Sequence, residues 1–223
     1  MKLVGILPMR SGSQRVKNKN LRLLEDKPLF SFVLEEMLRS EVFDQIVVDS
    51  NSDEILHSVG LLDLPRVTLS KRPVSLARPE TSMVEVLKLV ADKFPADLYF
   101  QTHATSPFLS HLTIRRAVRQ VLDSDHDSGF GVSEIQMRLW KPSGEPVNHD
   151  PQRLLPTQDL EPLFIENSSF YVFKKEQLHS MGTRYGKNPL MTVIPKVEAL
   201  DIDDEEDFEL ASLIRSGQLW RQR

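Results

Sequence analysis

Residues 1–22 read MKLVGILPMRSGSQRVKNKNLR, an apolar segment followed by a long polar and basic one. Residues 3–8 are continuously apolar, which is typical of a strand in a parallel sheet that is covered on both faces. The polar loop after them extends to Asn20, and Pro28 followed by apolar residues at helical spacing predicts an amphipathic helix. The stretch therefore predicts a central strand and a crossover helix joined by a long polar loop.

Strand-like and helix-like segments continue to alternate up to residue 122. Strands are predicted near residues 43–49, 67 and 98–100, and helices near 52–59, 81–94 and 110–122. This alternation predicts an α/β fold, with a doubly wound, mostly parallel sheet and ligands at the carboxyl ends of its strands.

The pattern changes in the second half of the chain. Residues 128–173 are predicted to form strands and turns, with a turn at residues 141–146, so about 134–164 form an inserted β excursion. A strand at residues 191–200 and a helix at 204–215 follow. Because 223 residues is an ordinary length for one hydrophobic core, we predict a single domain spanning residues 1–223.

Composition excludes several classes of protein. The net charge of -4 gives the chain no overall electrostatic attraction for DNA or RNA, so no nucleic-acid partner is expected. The absence of cysteine excludes disulfides, thiolate metal sites and a cysteine nucleophile. No apolar run is long enough for a signal-peptide core or a membrane span, so we expect a cytoplasmic protein without a membrane partner.

The loop after the first strand is a candidate anion site. It contains five cations and no acid, although the chain as a whole is acidic; the cations are Arg10, Arg15, Lys17, Lys19 and Arg22. The small residues Ser11, Gly12 and Ser13 allow backbone N–H groups to converge on a phosphate. The spacing matches neither the P-loop nor the dinucleotide G-x-G-x-x-G pattern. A solvated basic loop without a ligand is the alternative.

A second candidate site is formed by Asp201 and Asp203. In an extended segment, alternation directs both carboxylates to one side and buries Leu200 and Ile202 on the other. Mg²⁺ prefers one or two protein carboxylates together with phosphate oxygens of a substrate. The alternative is a capping box, in which Asp203 and Glu206 begin the last helix.

Motifs along nearly the whole chain resemble one enzyme family. The matching blocks are residues 10–22, Lys27-Pro28-Leu29, residues 43–48, Arg72-Pro73 with Leu76-Ala77, Thr105-Ser106-Pro107, Gln158-Asp159-Leu160, residues 167–172, and Asp201-Ile202-Asp203 with Glu206-Asp207. In this order they resemble the acylneuraminate cytidylyltransferases, which include CMP-sialic acid synthetases and other CMP-nonulosonic acid synthetases. The resemblance implies a nucleotide-diphospho-sugar transferase-like fold, with residues 134–164 as a dimerisation arm in a homodimer.

The resemblance also implies an activity and a set of site residues. The enzyme would transfer CMP from CTP to the anomeric hydroxyl of an acidic 2-keto sugar and release pyrophosphate, with Mg²⁺ as cofactor. The implied catalytic residues are Arg10, Lys19, Asp201 and Asp203, of which the two aspartates bind the metal. The implied nucleotide-binding residues are Arg10, Ser11, Gly12, Ser13, Lys19, Asn20, Arg72 and Ser82. The implied sugar-binding residues are His103, Gln158 and Asn167.

Five positions depart from the family pattern. They are Gln14 in place of lysine, Lys17 in place of proline, Pro79 in place of aspartate, His103 in place of glutamine and Ser168 in place of glycine. The last three fall in segments expected near the sugar, so we expect an acceptor other than N-acetylneuraminic acid. Two alternatives remain open: an enzyme of the same fold that uses another nucleotide or a sugar or polyol phosphate, and a catalytically silent nucleotide-binding homologue.

Overall fold

The structure is a computed structural model that describes residues 1–12, 15–78 and 80–217. The strands are β1 (Leu3–Met9), β2 (Leu23–Leu24), β3 (Lys27–Pro28), β4 (Gln45–Ser50), β5 (Val67–Lys71), β6 (Leu98–Thr102), β7 (Ser128–Ile135), β8 (Leu163–Phe173) and β9 (Pro189–Val193). The α-helices are α1 (Leu29–Ser40), α2 (Asp53–Gly60), α3 (Met83–Lys93), α4 (His111–Leu122) and α5 (Glu205–Arg215). Short 3-10 helices cover Val74–Leu76 and Thr157–Asp159, and a π-helical turn covers Gln177–Met181.

The central sheet has seven strands in the order β5-β4-β1-β6-β8-β7-β9. β1 pairs in parallel with β4 and β6, and β4 pairs in parallel with β5. β8 runs antiparallel to both of its neighbours, whereas β9 is again parallel to β7. The predicted α/β fold with a mostly parallel sheet is confirmed, and the polar loop leaves β1 at the middle of the sheet.

Both faces of β1 are covered, as its apolar sequence predicts. Leu3 and Leu7 pack into a cluster that contains side chains of α1 and α4. Val4 and Ile6 point the other way, into a cluster with side chains of α3. All seven residues of β1 are buried, so the strand fixes the start of the polar loop against a rigid core.

Four helices begin at side chains that accept hydrogen bonds from the first turn. The capping residues are Ser52 for α2, Ser82 for α3, Ser110 for α4 and Asp204 for α5. Asp204 and Asp207 form the capping box of α5, so the expected box of Asp203 and Glu206 is wrong by one position. The Asp204 backbone is extended and its side chain accepts from Asp207 N at 3.0 Å, which leaves the Asp203 carboxylate outside the cap.

Two strand predictions need correction. β9 ends at Val193 instead of continuing to residue 200, because Pro195 has no N–H for the ladder and the chain turns at residues 196–199. Within the predicted β excursion, only the ends belong to long strands, β7 and β8. Between them the chain is mostly turns with isolated bridges, including the predicted turn, where Gly144 N donates to Lys141 O at 2.9 Å.

Ser168 adopts a backbone conformation that usually belongs to glycine. Its φ angle is 56°, in the left-handed region, where side chains are disfavoured. The resemblance places glycine at this position, and glycine is the residue that adopts this backbone conformation most easily. The Ser168 hydroxyl contributes a contact that glycine lacks, since Tyr171 Oη donates to its Oγ at 3.1 Å.

Candidate active site

A cleft of about 490 Å³ opens at the carboxyl end of the parallel strands. Its lining residues are Pro8, Met9, Arg10, Gly12, Arg15, Val16, Lys19, Asn20, Arg72, Met83, His103, Ala104, Thr105 and Asp203. Most of them follow β1 or β6, the two strands at the centre of the sheet. Two cavities of similar volume lie elsewhere, beside α4 and near the end of α5, and neither contains a predicted site residue.

The polar loop is held to the sheet by hydrogen bonds at both ends. Ser11 N donates to Asn51 Oδ1 at 3.1 Å, and Asn51 Nδ2 donates back to Ser11 Oγ at 2.8 Å. Asn20 is nearly buried, and its Nδ2 donates to Arg10 O at 2.9 Å. Gly12 has a φ of +84°, which side chains rarely adopt, although there is open space around it. These contacts hold the described part of the loop in a defined conformation at the edge of the cleft.

Positive charge dominates the described lining of the cleft. Four cations, Arg10, Arg15, Lys19 and Arg72, face one carboxylate, that of Asp203. Arg15 Nη2 lies 2.9 Å from Asp203 Oδ1, and Lys19 Nζ lies 3.6 Å from the same oxygen. Since the chain carries a net charge of -4, this local excess of cations marks the cleft as an anion site.

Arg72 is anchored by a partner that the sequence analysis did not identify. Its Nε donates to Asp49 Oδ1 at 2.5 Å, and Ser70 Oγ donates to Asp49 Oδ2 at 3.0 Å. Asp49 is fully buried at the end of β4, and only 4% of the Arg72 surface is exposed. The pair fixes the guanidinium, whose cleft-facing side remains available to a ligand.

Asp201 and Asp203 form a candidate cation site. Asp201 Oδ1 is buried and has no hydrogen-bond partner among the described residues, which is costly for a carboxylate unless a cation or proton neutralises it. Burial raises the pKa of Asp201, and the nearby Asp203 carboxylate raises it further. Ile202 is fully buried and its N–H donates to Thr105 O at 2.9 Å, so both acids stand beside the loop after β6.

The donor set fits Mg²⁺ better than a transition metal. No group of three or more histidine, cysteine, aspartate or glutamate side chains with metal-site geometry occurs in the described residues. Mg²⁺ requires only one or two carboxylates when a substrate phosphate supplies the other oxygens. To bind Mg²⁺, Asp203 must give up its ion pair with Arg15. That pair is exposed, so breaking it costs little free energy.

His103 lies at the cleft end of β6, beside Lys19. Its Nε2 is 2.8 Å from Gln101 Nε2, and Arg184 Nη1 donates to Gln101 Oε1 at 2.7 Å. Burial lowers the pKa of His103 to about 4, and the charges of Arg184 and Lys19 lower it in the same direction. Gln101 and Arg184 were not predicted as site residues, because neither belongs to a motif and they are 83 positions apart.

The other predicted site residues lie outside the described cleft lining. Ser82 uses its hydroxyl to cap α3, and the wall there is formed by Met83. Gln158 is exposed in the segment between β7 and β8, where its carbonyl accepts from Gln136 Nε2. Asn167 bonds Ser133 Oγ and Ser169 N within β7 and β8. Ser13, Gln14 and Pro79 lie outside the described residues, so their roles stay predictions.

Residues 4–218 match the family described as Cytidylyltransferase. The chain belongs to this family. It is 30% identical to an N-acylneuraminate cytidylyltransferase of Escherichia coli, with 96% of this chain and 52% of that protein covered. It is 28% identical to the CMP-N,N'-diacetyllegionaminic acid synthase of Legionella pneumophila and 25% identical to the pseudaminic acid cytidylyltransferase of Campylobacter jejuni. These two alignments cover 94% of both chains and 96% of both chains, respectively.

The chain spans about half the length of the Escherichia coli protein but nearly all of the other two relatives. Among solved structures, it resembles a CMP:2-keto-3-deoxy-manno-octonic acid synthetase complexed with CTP, with a TM-score of 0.71 and 12% identity over 98% of this chain and 100% of that one. A 4-diphosphocytidyl-2C-methyl-D-erythritol synthase gives a TM-score of 0.70 at 15% identity, covering 96% and 99%. These structural likenesses confirm the fold, and the family match confirms the sequence resemblance.

Proposed function

We propose that this protein transfers CMP from CTP to the anomeric hydroxyl of an acidic 2-keto sugar and releases pyrophosphate, in the cytoplasm. The observation that carries the proposal is the cation-rich cleft beside the Asp201 and Asp203 carboxylates. Polyphosphate needs convergent cations, and nucleotidyl transfer needs a site for a hard metal ion next to them. Membership of the cytidylyltransferase family supports cytidine as the base.

In this proposal the loop holds the triphosphate. Arg10, Lys19 and Ser13 contact its phosphates, and the backbone at Ser11 and Gly12 approaches them closely. Lys19 is well placed for this role, because its Nζ donates to Ile202 O at 2.6 Å and only 13% of its side chain is exposed. A fixed ammonium stabilises phosphate charge without reorganising during the reaction.

The remaining proposed contacts are divided between the cytidine and the sugar. Asn20, Arg72 and Ser82 serve cytidine; Asn20 and Arg72 line the cleft, and Ser82 begins the helix behind its wall. His103, Gln158 and Asn167 serve the sugar, and of these His103 reaches the described cleft. Asp201 and Asp203 hold Mg²⁺, which when bound neutralises phosphate charge and polarises the reacting phosphoryl group.

The chemistry forms one bond and breaks one. The anomeric oxygen of the sugar bonds to the α-phosphorus of CTP, the bond from that phosphorus to the oxygen bridging to the β-phosphate breaks, and the hydroxyl proton passes to water or to the departing pyrophosphate. The chain contributes positioning and charge: Arg10 and Lys19 stabilise the leaving pyrophosphate, and the core behind β1 keeps the loop in place. No covalent enzyme intermediate is required.

The test is pyrophosphate release in the presence of Mg²⁺, with CTP compared with UTP, ATP and GTP. The acceptor panel contains N-acetylneuraminic acid, other nonulosonic acids, the eight-carbon ulosonic acid, a polyol phosphate and a neutral hexose phosphate. We expect CTP and a sugar acid other than N-acetylneuraminic acid to be preferred, because His103 changes the hydrogen-bonding pattern near the sugar. Preference for a phosphate acceptor or another nucleotide would refute the proposal, and nucleotide binding without pyrophosphate release from any acceptor would support the silent homologue.

Arg10→Ala should weaken CTP binding and turnover together, because the same cation serves the bound substrate and the leaving group. Loss of one such donor corresponds to a decrease in kcat/KM of about a hundredfold or more. Arg10 is exposed, so the fold should be unaffected. Lys17→Ala is the matched control, since Lys17 is an exposed cation of the same loop that does not line the described cleft. Equal effects of the two substitutions would mean that only the net charge of the loop matters.

We also propose a homodimer formed through the segment at residues 134–164. Large apolar side chains are exposed there, namely Met137, Trp140, Val147, Leu154 and Leu155. A segment with so little ladder pairing buries little apolar area by itself and gains stability from a second surface. Light scattering at micromolar concentration should therefore give twice the chain mass of 25.6 kDa. Trp140→Ser should shift the mass towards the monomer, and a monomeric wild type would exclude the dimer.

A further inference from the structure

Three polar side chains extend from the cleft along the face of the sheet that α3 covers. His103 faces the cleft, Gln101 lies fully buried in β6, and Arg184 follows the π-helical turn. The guanidinium of Arg184 stacks over the Tyr171 ring, with 3.4 Å between its Cζ atom and the ring centroid. This stacking holds Arg184 in the position from which it bonds Gln101.

The orientation of the Gln101 amide is fixed at both ends. Arg184 can only donate hydrogen bonds, so the amide atom 2.7 Å from its Nη1 must be the oxygen. The backbone carbonyl of Thr102 can only accept, and the amide nitrogen lies 3.2 Å from it. The two neighbours therefore assign the same orientation independently.

This orientation determines which nitrogen of His103 carries the proton. Gln101 Nε2 is a donor and lies 2.8 Å from His103 Nε2, so the imidazole must accept there. The proton of a neutral imidazole is then on Nδ1. An imidazolium would place two N–H groups against each other, and the charged groups that act on the ring, Arg184 and Lys19, are both positive.

We propose that Arg184 and Gln101 hold His103 as a neutral imidazole that presents its Nδ1–H to an oxygen of the acceptor sugar. His103 is then a specificity-determining donor, and Gln101 and Arg184 are its positioning residues. Because Nε2 is already engaged and Nδ1 carries the proton, His103 does not remove the proton from the attacking hydroxyl. The identity of the ligand rests on the proposed function, whereas the position of the proton does not.

Proton–nitrogen correlation spectra of the isotope-labelled, ligand-free protein test the first half of the proposal. At pH 7 we expect His103 as the Nδ1–H form alone, whereas His57, which is exposed on α2, should show the usual mixture of tautomers. His103→Asn assigns the signal by removing it. Gln101→Glu should move the proton to Nε2, because a carboxylate accepts from both Arg184 and His103. A wild-type Nε2–H form or an imidazolium at pH 7 would overturn the proposal.

Kinetics with the acceptor panel test the second half. His103→Leu removes the N–H, and His103→Asn keeps an amide N–H near the Nδ1 position. We expect KM for the preferred sugar acid to rise roughly tenfold in the leucine variant and to recover in the asparagine variant, with KM for CTP unchanged. Equal effects of both variants, or a change confined to CTP, would overturn the donor role. If no sugar acid reacts, the proposed function and the donor role fail together, and the spectra still decide the tautomer.

Arg184→Met provides the check on positioning. Without Arg184, the 3.2 Å contact of the Gln101 amide nitrogen with Thr102 O is the weaker of the two contacts that fix the amide, so the flipped amide should become populated and the His103 tautomers should mix in the spectra. Thermal melting shows whether this variant and Gln101→Glu remain folded. An unchanged, single Nδ1–H form in folded Arg184→Met would show that Arg184 has no part in fixing the imidazole.

Discussion

Asp203→Asn should lower kcat/KM for CTP by about a thousandfold or more, while the free energy of unfolding stays close to that of the wild type. The structure explains why the free energy of unfolding should change little. The Asp203 carboxylate does not cap α5, half of its side chain is exposed, and its ion pairs with Arg15 and Lys19 lie at the surface of the cleft. The Arg15 pair is exposed on both sides and contributes little to stability, and Lys19 keeps its hydrogen bond to Ile202 O when its 3.6 Å pair with Asp203 is lost, so the loss should appear in catalysis.

The neighbouring residue gives a matched control for this substitution. Asp204→Asn keeps a capping side chain on α5 and should leave activity near that of the wild type. Asp204→Ala removes the cap and should cost about 1 kcal/mol of stability without a large loss of turnover. Steady-state kinetics over a range of Mg²⁺ concentrations, combined with urea unfolding, separates the two residues. Near-normal, metal-dependent activity of Asp203→Asn would exclude Asp203 as a metal ligand.

The fold was predictable because each local signal agreed with the global arrangement. The apolar run of β1, the helical spacing of apolar residues in α1 and the glycine-containing turn at residues 141–146 all act through neighbours in sequence. The errors occurred where one backbone group decided the outcome. Pro195 ended β9 early, and the extended conformation of Asp204 moved the start of α5 by one residue.

The candidate site was predictable only where its residues belong to motifs. The loop with Arg10 and Lys19 and the pair Asp201 and Asp203 could be read from spacing and charge, and the structure brings Arg10, Lys19 and Asp203 to one cleft. The residues that orient them could not be predicted. Gln101 pairs with Arg184 across 83 positions, and such contacts depend on strand order and register, which single-residue patterns do not encode.

Arg72→Met should be the most destabilising single change considered, with an expected cost of about 3 to 5 kcal/mol. It leaves the Asp49 carboxylate fully buried, with Ser70 as its remaining side-chain hydrogen-bond donor within the described residues. Asp49→Asn should cost less, because the guanidinium of Arg72 still borders the cleft and can be hydrated there. Urea unfolding of both variants measures the difference. A cost below about 1 kcal/mol for Arg72→Met would mean that water reaches Asp49.

The double variant Asp49→Asn with Arg72→Met separates the structural role of the pair from its proposed nucleotide role. Without the uncompensated carboxylate, stability should recover by a large part of the loss in Arg72→Met, since a buried ion pair is often close to neutral relative to uncharged replacements. Affinity for CTP should not recover, because the cleft still lacks the cation that lines it. Thermal shifts with CTP report this directly, since a ligand that binds only the folded protein raises its apparent stability. A double variant that regains both stability and the CTP-induced shift would show that Arg72 supports the fold alone and makes no contact with the nucleotide.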